Sequence, residues 1–255
     1  IIMIGAGNLA TSLAVALTDA GHDILQVYSR TMQSAQTLAT IAGGAAVTDI
    51  SQVRADADVY ILSVKDDALP VLIPQLCRGR EDKLFLHTAG SVSIDVFQGM
   101  ARHYGVFYPM QTFSRQKRVS FEEIPCFIEG SGEEEEAAIE ALAAQLSHRV
   151  YRLSSEARKY LHLSAVFACN FVNHCYAISA ELLEKHGIPF DVMLPLIDET
   201  AAKVHQMAPK DAQTGPAVRY DENVIRAQSQ LLKNNPLVKD IYDRMSMNIY
   251  RMFQV

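Results

Sequence analysis

The chain opens with Ile1-Ile2-Met3-Ile4-Gly5-Ala6-Gly7-Asn8-Leu9-Ala10, and no other stretch limits its fold as sharply. An apolar run breaks at glycine and passes straight into Thr11-Ser12-Leu13-Ala14-Val15-Ala16-Leu17, whose apolar positions recur at helical spacing. A strand that turns on glycine into a helix is the opening of a dinucleotide-binding unit. In that reading Gly5 makes the tight turn, Gly7 lets backbone approach a pyrophosphate, and Ala10 fills the third small-residue position. The N–H groups around Asn8 and Leu9, with the positive end of the helix dipole, would then hold the phosphates.

A second strand is expected over Ile24–Tyr28, ending in Ser29-Arg30-Thr31. A site for NAD needs an acidic side chain here to accept from the ribose 2′-hydroxyl. Two hydroxyls and a guanidinium stand in its place. Arg30 can pair with a 2′-phosphate that a carboxylate would repel, so the pattern favours NADP. The competing reading of Arg30 is a solvated loop arginine.

The rest of the first half alternates strands and helices. A helix over Met32–Ile41 leads through Gly43-Gly44 to a short strand at Ala45–Val47, and Asp49–Val53 reads as one helical turn. Asp58–Val64 and Lys83–Thr88 are nearly unbroken apolar runs, the mark of strands covered on both faces. A helix from Ala68 to Leu76 separates them. Further strands are expected at His103–Tyr108, Pro125–Glu129 and Arg149–Leu153. This order implies a doubly wound α/β sheet with its ligands beyond the strand carboxyl ends. Ser63-Val64-Lys65, His87-Thr88-Ala89-Gly90 and Pro109-Met110-Gln111-Thr112 should face one crevice. The acidic run Glu133–Glu136 follows Ser131, whose spacing to Glu134 matches a capping box, and reads as a solvated helix start.

Beyond Ser154 no strand-like run returns. A long helix is expected over Ser155–His186, another over Phe190–Met207, a third capped by Asp221, and a last one starting at Pro236. The expected division is a sheet domain over 1–153 and an all-helical domain over 154–255. On the long helix, a step of about 100° per residue sets Lys159, His162, Asn170 and Asn173 on one stripe. That stripe is either the wet face of the helix or a row of donors facing the crevice. In the second case His162 is the best proton donor, since its ordinary pKa lies near neutrality. The loop Lys210–Asp221 gathers other polar groups. Thr214-Gly215-Pro216 sets a turn, and Arg219 either clamps a carboxylate or pairs with Asp221.

With 255 residues and 49% hydrophobic content the chain can bury an ample core. A formal charge of −6 argues against a general nucleic-acid or anionic-membrane binder. No run is long enough to span a bilayer and no charged-then-apolar leader is visible; since Ile1 already lies in the first strand, further residues upstream are expected. Cys77, Cys126, Cys169 and Cys175 have no metal-ligand spacing and read as buried thiols of a reducing, cytoplasmic compartment; no metal site is expected.

Gly5–Ala10, His87–Gly90, Tyr108-Pro109-Met110-Gln111-Thr112-Phe113-Ser114, His162 with Asn170-Phe171, and Thr214-Gly215-Pro216 with Arg219 together carry a resemblance. The chain resembles the pyrroline-5-carboxylate reductase-like branch of Rossmann proteins, which share a helical domain of the 6-phosphogluconate dehydrogenase type. It is most similar to the bacterial group labelled deazaflavin-dependent NADP oxidoreductases. The resemblance implies NADP(H) in the crevice and a homodimer formed through the helical domain; it implies no particular substrate, and no residue calls for a deazaflavin. The 6-phosphogluconate-type enzymes carry a lysine four residues before an asparagine, where this chain has Val166 before Asn170. The leading expectation is an NADP(H)-dependent oxidoreductase acting on a small carbonyl or imine. Ser63–Lys65 and His87–Gly90 would line the cofactor channel, with Gln111, Thr112, His162, Asn170, Thr214 and Arg219 on the substrate side. The alternative is a sensor or scaffold that binds NADP without turnover, and it predicts no substrate-dependent oxidation of NADPH.

Overall fold

A computed structural model of the protein describes residues 1–114 and 119–254. It divides into two compact units, Ile1–Cys169 and Asn170–Val255.

The first unit is built on β1 (Ile2–Ile4), β2 (Gln26–Tyr28), β3 (Ala45–Val47), β4 (Val59–Leu62), β5 (Leu84–His87), β6 (His103–Pro109), β7 (Cys126–Gly130) and β8 (Val150–Arg152). They form one sheet in the order β3-β2-β1-β4-β5-β6-β7-β8. Strands β1 to β6 are parallel, β7 runs antiparallel to β6, and β8 parallels β7. The chain winds outward from β1 to β3, then returns to add β4 on the other side of β1. That reversal is the switch point where such sheets bind ligands. The register aligns its rim, with Ile4 opposite Tyr28 and Leu62, and Leu62 opposite His87.

Period-two alternation explains why the apolar runs are unbroken. Ile2, Ile4, Tyr60, Leu62 and Phe85 enter the core on one face, while Met3, Val27, Ile61, Leu86 and Phe107 enter the other. Helix α1 (Asn8–Asp19) buries Ala10, Leu13, Ala14 and Leu17, an i, i+3, i+4, i+7 stripe, and the chain turns away at Gly21 with φ +91°. Helix α2 (Met32–Ala42) packs beside it, α3 (Leu69–Cys77) covers the opposite face, and α4 (Glu133–Ala144) joins β7 to β8. The capping box expected at Ser131 does not form. Gly132 is the residue before the helix, and the Ser131 hydroxyl instead accepts from Tyr104 N at 3.3 Å, tying the turn to β6.

Helix α5 (Ser155–Ala165) belongs with the sheet rather than with the helices that follow, because its first turn bonds to β7 through Glu129. The expected single helix to His186 is interrupted: Val166–Phe171 is a π-helical segment, and α6 (Val172–Glu184) follows. A π turn takes one residue more per turn than an α turn. The uniform 100° step that grouped Asn170 and Asn173 with His162 therefore does not carry past Ala165.

In the second unit α6 is followed by α7 (Leu194–Lys203), α8 (Glu222–Leu231) and α9 (Pro236–Met252). Asp221 and Asn235 cap the last two, accepting from Val224 N at 3.4 Å and Val238 N at 3.3 Å. Tyr220, held at φ +51°, stacks on Tyr250 with ring centroids 4.4 Å apart. Neither α6 nor α7 has a buried residue, and Val192, Leu194 and Leu196 are exposed.

All four cysteines are free thiols. Cys77 and Cys126 are buried as expected, with their thiols pushed up to about 12 by burial, whereas Cys169 is exposed and Cys175 half-buried. Cys169 lies in the π segment and Cys175 on α6, and neither element has a buried residue. Among the described residues no helix is long and apolar enough to cross a membrane, and no group of three or more His, Cys, Asp or Glu could hold a metal.

Candidate nucleotide and active site

The glycine turn is held at the switch point by its neighbours. Gly5 N donates to Tyr28 O of β2 at 2.8 Å, and Ser63 N, just past β4, donates to Ile4 O at 2.8 Å. Gly5 has φ +113°, and a Cβ there would run into the Ser63 carbonyl. Only glycine fits that close approach without strain. Gly7 is the residue before α1, and around it lies open space, with no atom within 4 Å of a built Cβ. No side chain caps α1 and no acidic residue sits in its first turn. Its leading N–H groups, at Asn8, Leu9 and the buried Ala10, are thus left for an anion. The Asn8 amide turns aside and donates to Phe113 O at 3.1 Å, fastening the segment after β6 to the glycine turn.

At the end of β2, Ser29 N bonds to Val47 O of β3, and the Thr31 hydroxyl caps α2 by accepting from Ser34 N at 3.4 Å. Arg30 lies between them, exposed, with no ion pair among the described residues. A diphosphate on α1 and an extra phosphate beside Arg30 both suit this rim, which offers no carboxylate in the position an NAD site requires.

The other strand ends divide by exposure. Ser63 and Val64 are half-buried and Lys65 is exposed. The Ser91 hydroxyl bonds Asp66, joining the loops after β4 and β5. Thr88, Ala89 and Gly90 are buried. His87 is completely so: its Nδ1 accepts from Ala89 N at 3.1 Å, its ring stacks on Phe97, and its Nε2 has no hydrogen bond of normal geometry among the described residues. Burial, reinforced by the Arg158 guanidinium, pushes this imidazole down to about 3, so it stays neutral beneath the loop. Gln111 and Thr112 are exposed, and Gln111 Oε1 accepts from Thr112 N at 2.8 Å.

Three residues converge where β5 and β6 end. Tyr108 Oη lies 3.0 Å from His162 Nδ1, and the rings meet edge to face with centroids 6.0 Å apart. Gly90 admits them: a Cβ there would lie 2.6 Å from His162 Nδ1 and 2.9 Å from Tyr108 Cζ. Burial raises the Tyr108 phenol above its ordinary value, against an opposing effect of Arg158. One turn before His162, Arg158 is fully buried. It donates from Nη1 to Glu129 Oε2 at 2.6 Å and from Nη2 to Val92 O at 2.6 Å and Ser155 Oγ at 3.0 Å. Ser155 in turn donates to both Glu129 oxygens, from N at 2.9 Å and Oγ at 2.6 Å, and its Oγ accepts from Ile94 N at 2.8 Å. This cluster clamps α5 to β7 and to the loop after β5.

Sequence reasoning gave no role to Tyr108, Arg158, Glu129 or Ser155. The i, i+4 relation of Arg158 to His162 was the available signal, since it sets both on one helix face. Lys159, on the neighbouring face, is exposed. In the second unit Asn170 is exposed in the π segment, and Thr214 and Arg219 are exposed in the loop before α8, where Gly215 turns at φ +104°. Arg219 makes no ion pair with Asp221, whose carboxylate caps α8 instead. A surface cleft of about 400 Å³ runs along the flank of α1, from Asn8 and Ser114 at its glycine-turn end past Thr11, Val15 and Phe121 to Gln145.

Sheet order, glycine turn and helical second unit define a dinucleotide-binding α/β protein of the Rossmann type. Residues 1–90 match the family described as NADP oxidoreductase, coenzyme F420-dependent, and residues 124–249 match a domain of unknown function. A crystal structure described as a "putative NADP oxidoreductase" from Bacteroides fragilis is 54% identical, with 98% of this chain and 97% of that one covered and a TM-score of 0.94. The chain belongs to the NADP oxidoreductase family of that protein. A Thermotoga maritima protein shares the fold at 21% identity, with full coverage of both chains and a TM-score of 0.81. An imine reductase from Myxococcus stipitatus, solved with NADP+, shares it at 16% identity, covering 99% and 93%, with a TM-score of 0.70. No curated protein matches the chain.

Proposed function

We propose that this protein is an NADP(H)-dependent oxidoreductase that moves a hydride to or from a small carbonyl or imine compound. One observation carries the reading: an uncapped helix start at the sheet's switch point stands beside an arginine with no ion pair among the described residues. The N–H groups of Asn8, Leu9 and Ala10 hold the diphosphate above Gly5 and Gly7. Ser29, Arg30 and Thr31 receive the 2′-phosphate. Ser63, Val64 and Lys65, with Thr88, Ala89 and Gly90, flank the rest of the cofactor, and His87 props that loop from below. Bound there, the nicotinamide supplies the hydride chemistry, leaving the protein to align the substrate and manage a proton. His162 holds that proton toward the substrate oxygen or nitrogen. Within the sheet unit Gln111 supplies a polar contact for the substrate, and the helical unit carries exposed polar groups of its own at Asn170, Thr214 and Arg219. A fold shared with an imine reductase and with pyrroline-5-carboxylate reductases favours a carbonyl or imine carbon as hydride partner. The exposed apolar side chains of α6 and α7 suit a homodimer formed through the helical unit, and the free thiols suit a cytoplasmic site.

The test begins with fluorescence titrations of NADPH and NADH, followed by a screen of cyclic imines, imino acids and keto acids for NADPH oxidation. NADPH should bind at least ten times more tightly than NADH, and His162→Ala should slow any turnover found about a hundredfold. Equal affinities would remove the role given to Arg30, and failure of both cofactors to bind would remove the oxidoreductase reading.

A further inference from the structure

Among the polar groups that the glycine turn and its cofactor leave unexplained, the strongest is the pair packed against Gly90. We propose that Tyr108 is the positioning residue that sets the tautomer of His162: its phenol donates to Nδ1, so the ring proton resides on Nε2, the atom left to meet a substrate. This rests on the role given to His162 above and adds what the ring presents there.

The argument is one of hydrogen-bond accounting. At 3.0 Å the two atoms are bonded, and either can be the donor. If Nδ1–H donated, the phenol proton would need a second acceptor, and Oη has no other hydrogen bond among the described residues. Tyr108 is 8% exposed, so an unplaced proton there would carry the cost of a buried, unsatisfied donor. With the phenol donating, one bond satisfies Oη–H and Nδ1 together, and the donor left over is the Nε2–H of a ring that is only half-buried. The charged and titratable groups acting on the phenol are Arg158 from α5 and Cys169 from the π segment; burial, with Cys169 acting in the same direction, outweighs Arg158 and keeps the phenol protonated, as a donor must be. The glycine at position 90 then has a purpose beyond the cofactor turn, for any side chain would stand against both ends of this bond. The consequence is chemical. A neutral ring protonated on Nε2 offers a donor to a carbonyl oxygen or imine nitrogen, whereas the other tautomer would offer a bare lone pair, a base.

The full-length chain labelled with 15N-histidine decides this in mildly alkaline buffer, by long-range 1H–15N correlation spectra, with His162 assigned by its loss in His162→Gln. The wild type should show the directly bonded proton on Nε2 and Nδ1 as an acceptor. In Tyr108→Phe, Nδ1 should move downfield to the position of a lone pair without a donor, while the melting temperature stays near that of the wild type. Should Tyr108→Phe fail to fold, Gly90→Ala supplies the same displacement and the same expected shift. A wild-type proton on Nδ1, or an Nδ1 resonance unmoved when the phenol is removed, overturns the proposal. Neither spectrum requires NADPH, so a failure of the cofactor titration and a failure of the tautomer assignment are read separately.

Discussion

Replacing Glu129 by glutamine should weaken the sheet unit, although the change is nearly isosteric. The side chain keeps its volume and one acceptor, but Arg158 loses its counter-charge. Arg158 is fully buried and Glu129 only 16% exposed, so water can screen little of what remains. Breaking one side of a buried pair costs about 3–5 kcal/mol, because a charge is left without compensation. The retained amide oxygen and the bonds of Arg158 to Val92 and Ser155 place this case at the lower end, about 3 kcal/mol. At about 2–4 °C per kcal/mol for a unit of this size, the corresponding melting transition should fall by about 6–12 °C. Circular dichroism melts and urea titrations of the wild type, Glu129→Gln and Glu129→Gln/Arg158→Met measure it. The double variant should recover part of the loss, since removing the stranded cation outweighs the bonds lost at Val92 and Ser155, worth about 1 kcal/mol each. A single variant that melts within about 2 °C of the wild type would refute the claim that this pair is buried and obligatory. A double variant less stable than the single one would show instead that the guanidinium's hydrogen bonds, not its charge, hold α5 in place.

Arg30→Ala should weaken NADPH binding by about ten- to a hundredfold through loss of a charge-assisted contact, and leave NADH binding nearly unchanged; parallel titrations compare the two. Gly5→Ala should abolish detectable binding of either cofactor, because a positive φ and the Ser63 carbonyl both oppose a side chain, and calorimetry that still detects wild-type affinity would contradict this. His87 contributes an acid sensitivity. Its folded-state value of about 3 lies below the ordinary 6.5, so the unfolded chain binds a proton that the folded one refuses. Stability is unaffected above pH 6.5 and falls as the pH drops from there toward 3, by about 2 kcal/mol at pH 5. Urea titrations at neutral pH and at pH 5 should show that loss shrinking by about one proton's worth in His87→Gln. Leu196→Asp, on a helix with no buried residue, tests the proposed homodimer: the wild type should scatter light as a dimer and the variant as a monomer, and an unchanged mass would remove α7 from the proposed interface.

Much of the fold was legible because local signals and tertiary environment agree. Gly5 reads as a turn in the sequence and is held at φ +113° in the structure; Asp221 and Pro236 read as helix starts and are helix starts. The unbroken runs at Asp58–Val64 and Lys83–Thr88 implied burial on both faces, and the two core clusters lie on opposite faces of the sheet. What could not be read depends on partners distant in sequence. Ser131 has the spacing of a capping box, yet its hydroxyl goes to Tyr104, 27 residues earlier, and Gly132 takes the cap position. The π segment has no composition that announces it, and one extra residue per turn is enough to break a stripe inferred from regular pitch. The same limit governs the active-site candidates. His162 stood out because of its own chemistry, whereas Tyr108 and Arg158 matter through what they touch, 54 residues away in one case and 29 in the other. A histidine's chemistry is visible in its name, but which of its nitrogens carries the proton is decided by the neighbour that folding brings to the other one.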